Sequence, residues 1–324
     1  MDKRFSLKKM TAVSLALLIL LFCSCTDITH RKHDKNDGIT PDYFSAGRFT
    51  ATVISDGSSV FFARKDGIYK QSENGAAVCI VAAVSPDLLL IDEGRLYFTG
   101  HTQQEILYSV NLDGSDFKEI FRCDQMPELS GIDLSDYCVI DGVLYAANGR
   151  GAFSYRLHDR KFNRLVDDRG VSAYAIRQNT FYYIDHTART FTIYGIDLSN
   201  NQQTVVLGEA RTAPERSIYY DFWWLDERLY VAQRNPNGLY DCTAGETPVL
   251  VDSREMEAVW QQNGMLYYVV ETGGGKYALY AYDHDQSDAA FVSELSDCDF
   301  SNGLRIVNHC LYYSNENAVQ RLPV

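Results

Sequence analysis

Acid–base chemistry in this chain has to come from side chains that stand far apart in sequence. Asp136, Asp221 and Asp299, with His101 and His186, are the titratable residues that fall at the ends of predicted strands or on the connections beside them. Two or three of them within reach of one pocket would suit a glycan lyase or hydrolase. No GxSxG nucleophile turn and no HExxH zinc helix occurs. Asp283, Asp285, Ser287 and Glu294 match four positions of a calcium loop, but Asp288 stands where that loop needs glycine. Gly273-Gly274-Gly275-Lys276 lacks the first glycine of a phosphate loop. The cysteines show no CxxC or CxxH spacing for zinc. No cofactor, metal or catalytic residue is assigned on these grounds.

Binding chemistry has a better basis. Tyr219-Tyr220-Asp221-Phe222-Trp223-Trp224 places alternate aromatics on opposite faces of one strand, and Trp260 follows one unit later. An aromatic platform beside carboxylates suits a sugar or peptide ligand. The candidate ligand-binding set is therefore Asp136, Tyr220, Asp221, Trp223, Trp224, Trp260 and Asp299.

A repeat must position these residues. Phe181-Tyr182-Tyr183 has six variants, beginning at Val60, Leu96, Leu144, Leu229, Leu266 and Leu311. Their spacings of 36, 48, 37, 48, 37 and 45 residues mark an array of structural units. Each motif follows a short apolar run such as Tyr137 to Ile140 or Leu304 to Val307. Asp56-Gly57, Glu93-Gly94, Asp141-Gly142 and Asn263-Gly264 supply hairpin turns between run and motif. A later apolar–aromatic pair recurs as Ile68-Tyr69, Leu107-Tyr108, Ile193-Tyr194, Leu239-Tyr240 and Leu279-Tyr280. Each unit thus gives four short antiparallel strands, a to d.

Four-stranded sheets repeated in this way predict an all-β propeller, in which every blade covers its neighbour. Seven blades is the straightforward count, with six or eight if the first or last unit is misread. The last unit has strands a, b and c before Val324, and Tyr43 to Ala46 is the expected fourth strand. N- and C-terminal segments are therefore expected to share a blade and close the ring. The spacings of 48, 48 and 45 residues come from long d-to-a connections at about 122 to 136, 208 to 217 and 294 to 303. Antiparallel geometry puts all three on one end of the ring, where they bring Asp124, Glu128, Glu209, Glu215 and Asp297 among Arg122, Arg211 and Arg216.

The N-terminus gives an address. Lys3, Arg4, Lys8 and Lys9 precede an apolar run from Thr11 to Cys23, too short for a membrane span. Phe22-Cys23-Ser24-Cys25 resembles a bacterial lipobox, with Cys25 as the lipidated residue. The expected organisation is a signal peptide over 1–24, a lipidated cysteine and flexible tether over 25–40, and the propeller over 41–324. That places the protein on the outer face of the cytoplasmic membrane, held by its lipid. The precursor carries a net charge of −13, and loss of residues 1–24, which hold four basic and one acidic side chain, leaves −16. Such acidity repels phosphate backbones and excludes nucleic acid as a partner. Among the remaining cysteines, Cys123 and Cys138 flank a long connection and are the pair to test for a disulfide, with buried thiols as the alternative.

The repeated L-Y-Y, I/L-Y and Asp-Gly pattern behind this leader resembles bacterial surface lipoprotein propellers of a domain-of-unknown-function family. These are distantly similar to the YWTD propellers of low-density-lipoprotein receptors and to TolB-like propellers. Phe181-Tyr182-Tyr183-Ile184-Asp185 is the nearest copy of the YWTD core, whereas Leu96-Tyr97-Phe98-Thr99-Gly100 lacks its aspartate. The resemblance covers about residues 49 to 324 and implies six blades against the repeat count of seven. It carries no catalytic residues. The expected function is a non-enzymatic binding or scaffolding propeller for protein, peptide or glycan, with a secreted glycan-active enzyme as the alternative.

Overall fold

The chain divides into two units, Met1–Lys35 and Asn36–Val324. The computed structural model describes residues 43–45, 52–72, 75–82, 85–100, 103–126, 129, 134, 137–148, 151–167, 170–185, 192–207, 218–234, 237–243, 248–262, 264–286, 288–296, 304–307, 310–315 and 318–324, all in the second unit. They form twenty-eight strands. The first, β1, is Tyr43–Ser45.

Blade 1 comprises Val53–Ser55 (β2), Ser59–Arg64 (β3), Gly67–Ser72 (β4) and Val78–Ala82 (β5). Blade 2 is Pro86–Asp92 (β6), Arg95–Gly100 (β7), Gln103–Asn111 (β8) and Lys118–Arg122 (β9). Blade 3 is Tyr137–Ile140 (β10), Val143–Asn148 (β11), Gly151–Arg156 (β12) and Lys161–Asp167 (β13). Blade 4 is Val171–Arg177 (β14), Thr180–Asp185 (β15), Thr192–Asp197 (β16) and Gln203–Leu207 (β17). Blade 5 is Ile218–Leu225 (β18), Arg228–Arg234 (β19), Gly238–Asp241 (β20) and Val249–Asp252 (β21). Blade 6 is Ala258–Gln262 (β22), Met265–Gly273 (β23), Lys276–Asp283 (β24) and Asp288–Ser296 (β25). A terminal sheet holds only Leu304–Val307 (β26), Cys310–Asn315 (β27) and Ala318–Pro323 (β28).

The expectation of seven blades closed by shared terminal strands is corrected by this pairing. Six blades have four antiparallel strands, and the terminal sheet has three. The N-terminal strand does not complete that sheet. Instead β1 pairs antiparallel with β14 and makes a fifth strand on blade 4. The physical reason is that β14 already offers a row of backbone donors and acceptors on the edge that β15 does not occupy, and any extended segment can satisfy them. The unit closes through packing rather than a shared sheet. β26 lies beside β2, and Tyr312 packs against Val53, Val60 and Phe62 of blade 1.

The repeat motifs acquire physical meaning in the pairing. The register between strands c and d shifts at Ile68/Tyr69, Leu107/Tyr108, Ala152/Phe153, Ile193/Tyr194, Leu239/Tyr240 and Leu279/Tyr280. The apolar–aromatic pair of strand c therefore stands opposite the bulge of each complete blade, where one extra residue of strand d (Ile80, Ile120, Leu165, Val206, Val251 or Val292) sharpens the twist. Asp141 and Gly142 have φ of 51° and 69°, the left-handed pair that a two-residue hairpin demands. Gln178 and Asn179 adopt 46° and 61° without a glycine. Gly67 opens strand c of blade 1 at φ 153°, and a Cβ there would lie 2.0 Å from the Val81 carbonyl oxygen. Only glycine fits that approach.

Alternation along each strand sends side chains into two different seams. Trp223, Tyr230 and Tyr268 fill the seam between blades 5 and 6, whereas Phe222, Ile184 and Val231 fill that between blades 4 and 5. Polar links between neighbours recur at a spacing of two units. Asp92 accepts hydrogen bonds from the Asp141 and Gly142 amides at 3.2 and 3.0 Å. Arg177 pairs with Glu227 at 2.6 Å. Gln262 accepts from the Ile306 amide at 3.0 Å and donates to its carbonyl. These three residues each end strand a of an even-numbered blade, at equal intervals of 85 residues.

Candidate functional site

Strand direction defines the two ends of the ring. Strands a and c run toward one end, which carries the a–b and c–d turns. Strands b and d run toward the other, which carries the b–c turns and the long d-to-a connections. The turn end is built from side-chain-to-backbone bonds. Asp56, Asp113, Asp197 and Asp283 each accept from the amide two residues on, at 2.8 to 2.9 Å. Such carboxylates shape turns and need no ligand to explain them.

The sequence predicts the site at the long-connection end. Cys25, Asp136, Asp299, His101 and His186 lie outside the described residues. Tyr220 is described only as backbone of β18. Asp221 is 4% exposed beside a bulge in the β18–β19 pairing, and its Oδ1 accepts from the Phe222 amide at 2.8 Å. Trp223 is 1% exposed in the seam between blades 5 and 6, and Trp260 is 5% exposed in the seam between blade 6 and the terminal sheet. The structure therefore does not bring these two indoles to one face, and both are core. Trp224 goes to the seam between blades 4 and 5, its ring 5.4 Å from that of Tyr182 and 5.1 Å from the Arg177 guanidinium carbon.

Several polar groups that sequence reasoning did not single out are buried toward the same end. Asp185 ends β15, Thr192 begins β16, Gln233 lies near the end of β19, and Thr99 lies near the end of β7. Thr99 Oγ1 has no hydrogen-bond partner among the described residues. Alternation puts Asp185 on the Tyr183 side of blade 4 and Asp221 on the Trp223 side of blade 5. These two carboxylates thus belong to different seams, and a third buried one, Asp252 at the end of β21, lies in the same seam as Asp221. At the first long connection, Arg122 holds both oxygens of Asp124 at 2.9 and 2.8 Å, and Leu129 and Leu134 are buried in the core of blades 2 to 4. That connection is anchored by apolar residues.

Two further clusters lie inside the seam between blades 5 and 6. Tyr230 Oη is 2.9 Å from His284 Nδ1 and 3.5 Å from Tyr282 Oη. Burial and then the Tyr282 contact push the Tyr230 phenol far above its ordinary value. Asp252, Arg254, Tyr268 and Tyr280 form the second cluster, in which Arg254 lies over the Tyr280 ring at 3.6 Å. No group of three or more His, Cys, Asp or Glu among the described residues forms a metal cluster. Cys123 and Cys138, the pair to be tested for a disulfide, are both buried in the core of blades 2 to 4.

Similarity to known proteins is confined to the fold. No family model and no curated protein matches the chain. Among solved structures it is similar to PorZ, a surface component of the type-IX secretion system of Porphyromonas gingivalis, at 11% identity and a TM-score of 0.57. The match covers 87% of this chain and 39% of PorZ, so the chain spans about two fifths of that protein's length. An extracellular domain of a putative hybrid two-component system of B. thetaiotaomicron, BT4673, aligns at 11% identity and a TM-score of 0.55, over 84% of this chain and 38% of that one. U3-55K aligns at 11% identity and 0.54, over 89% and 100%. These neighbours support a propeller. The finer likeness to receptor and TolB-like families rests on the repeat motifs alone.

Proposed function

We propose that this chain is a non-enzymatic binding or scaffolding propeller of the bacterial envelope, lipid-anchored at Cys25. Its partner is a protein, peptide or glycan held at the long-connection end. The observation that carries this reading is that the strand ends flanking all three expanded connections lie on one end of the ring, while the described turns of the opposite end include four whose own carboxylates satisfy their backbone. Loops on a rigid scaffold are where binding residues concentrate. Similarity in fold to the extracellular domain of a putative hybrid two-component system and to a secretion-system surface component agrees with this role.

Arrays of glycans and peptides probed with the mature protein test the proposal. Retention that is lost when residues 208–217 are shortened, with thermal unfolding unchanged, is the expected result. Retention indifferent to all three connections would sink the assignment of the face, and turnover of a glycan would reopen the enzyme reading.

A further inference from the structure

The direction of β1 is informative. Tyr43 lies opposite Arg177, Phe44 opposite Ile176 and Ser45 opposite Ala175. Arg177 is the last residue of β14 before the 178–179 turn, so β1 begins at the turn end of the ring. It then runs toward the long-connection end, where β2 starts at Val53. One edge of β14 is occupied by β15, so β1 takes the other. That edge faces the axis, because the first strands of the sheets are the ones that meet their neighbours: β2 with β6, β6 with β10, β14 with β18, and β26 with β2. β1 also lies beside β18.

We infer that β1 threads the axis of the ring, so that the chain preceding it departs from the turn end. In an anchored molecule the turn end then faces the membrane and the long connections point away from it. The membrane half of this inference rests on the lipid anchor proposed above; the threading does not. Residues 26–42 separate Cys25 from β1. As a coil, these seventeen residues would span about 20–25 Å. Strands of six to seven residues add roughly another 20 Å to the far end. A ligand-binding face built there stands clear of both the tether and the bilayer.

Two measurements on the full-length chain separate the parts. In the first, hydrogen exchange is compared between the wild type and Phe44→Pro, since the register makes Phe44 and Ile176 the pair that exchanges backbone bonds and proline removes the Phe44 donor. Amides of 173–177 not bonded to β15 are expected to exchange at least about tenfold faster in the variant. Unaltered protection of β23 and β24 shows that the ring is still folded, and unchanged exchange at 173–177 overturns the threading. In the second, a protease recognition site is inserted either at Asn200-Asn201 on the turn end or at Gly274-Gly275 on the other. Each lipidated protein is bound to phosphatidylcholine vesicles. Faster cleavage at 274–275, equalised by detergent, is the expected result. Equal cleavage on vesicles overturns the orientation. Failure to bind vesicles overturns the anchor and the orientation with it, while the exchange experiment still decides the threading.

Discussion

Tyr268 donates its phenolic hydrogen to the carboxylate of Asp252 across the seam between blades 5 and 6. Arg254 closes the same cluster from the other side, with Nε 2.9 Å from both Asp252 oxygens. Burial pushes the Asp252 carboxyl up, but the bonds from Arg254 and Tyr268 outweigh it and hold the group below its ordinary value of 3.8. Tyr268 moves the opposite way, raised by burial and then by its bond to Asp252. This cluster joins two sheets that share no strand, and breaking it tests how much a seam depends on polar contacts.

Asp252→Ala leaves a guanidinium and a phenol without their shared acceptor, at an expected cost of about 2–4 kcal/mol in urea unfolding at neutral pH. The folded carboxyl titrates below the unfolded one. Its contribution is therefore complete above the unfolded value of 3.8 and fades as pH falls through the folded value. The gap between wild type and variant should narrow in acid. A gap independent of pH would assign the loss to packing alone.

Trp223→Ala and Trp260→Ala each empty a seam, and a cost of about 3–5 kcal/mol is expected for either. Calorimetry of the two variants checks this. Near-native stability would mean that the indoles are surface groups after all and would restore them to a ligand platform.

Asp92 is raised in pKa by burial, against which the bonds from Gly142 and Asp141 act. Asp92→Asn keeps one of the two acceptor oxygens and sets an amide donor against the other N–H of the blade 3 turn, so a loss of stability is expected. Asp92→Ala removes the acceptor at a cost of about 1 kcal/mol. Faster exchange of both the Asp141 and Gly142 amides in the alanine variant, and of one of them in the asparagine variant, is the accompanying signature.

Thiol reactivity should separate the cysteines by burial. Cys79 is exposed, while Cys242 is buried and its thiol is pushed up to about 12, by burial first and the Asp241 charge second. A thiol reagent at neutral pH is expected to modify Cys79 quickly in the native protein and Cys242 only on unfolding. Rapid native labelling of Cys242 would contradict the closed seam between blades 4 and 5.

Much of the blade was legible because its signals are local. Tyr137 to Ile140 and Leu304 to Val307 are strands over the bounds their apolar runs suggested. Asp141-Gly142 makes the expected turn because its left-handed angles are written in two adjacent residues. The blade count failed where local information ends. Tyr43–Ser45 is only three residues long, and nothing in them distinguishes the edge of β28 from that of β14. The site was legible in part. Alternation correctly sent Trp223 and Trp224 to opposite faces, but whether a face is solvent or a neighbouring blade depends on packing between units. The cluster of Asp252 with Tyr268 had no sequence signal, since its partners belong to different repeats.

A segment running down the middle of a ring also dictates an order of assembly. Tyr43 to Ser45 emerges first during synthesis, yet its partner strand β14 is made more than a hundred residues later. Pairing so distant in sequence is slow, because a long loop must close before any contact repays it. The blades, whose hairpins are local, would condense first around a loose leading end, and that end would seat last. The seating of that strand would then be the final step of folding, so an unfinished molecule is one whose ring is formed around an unfilled axis.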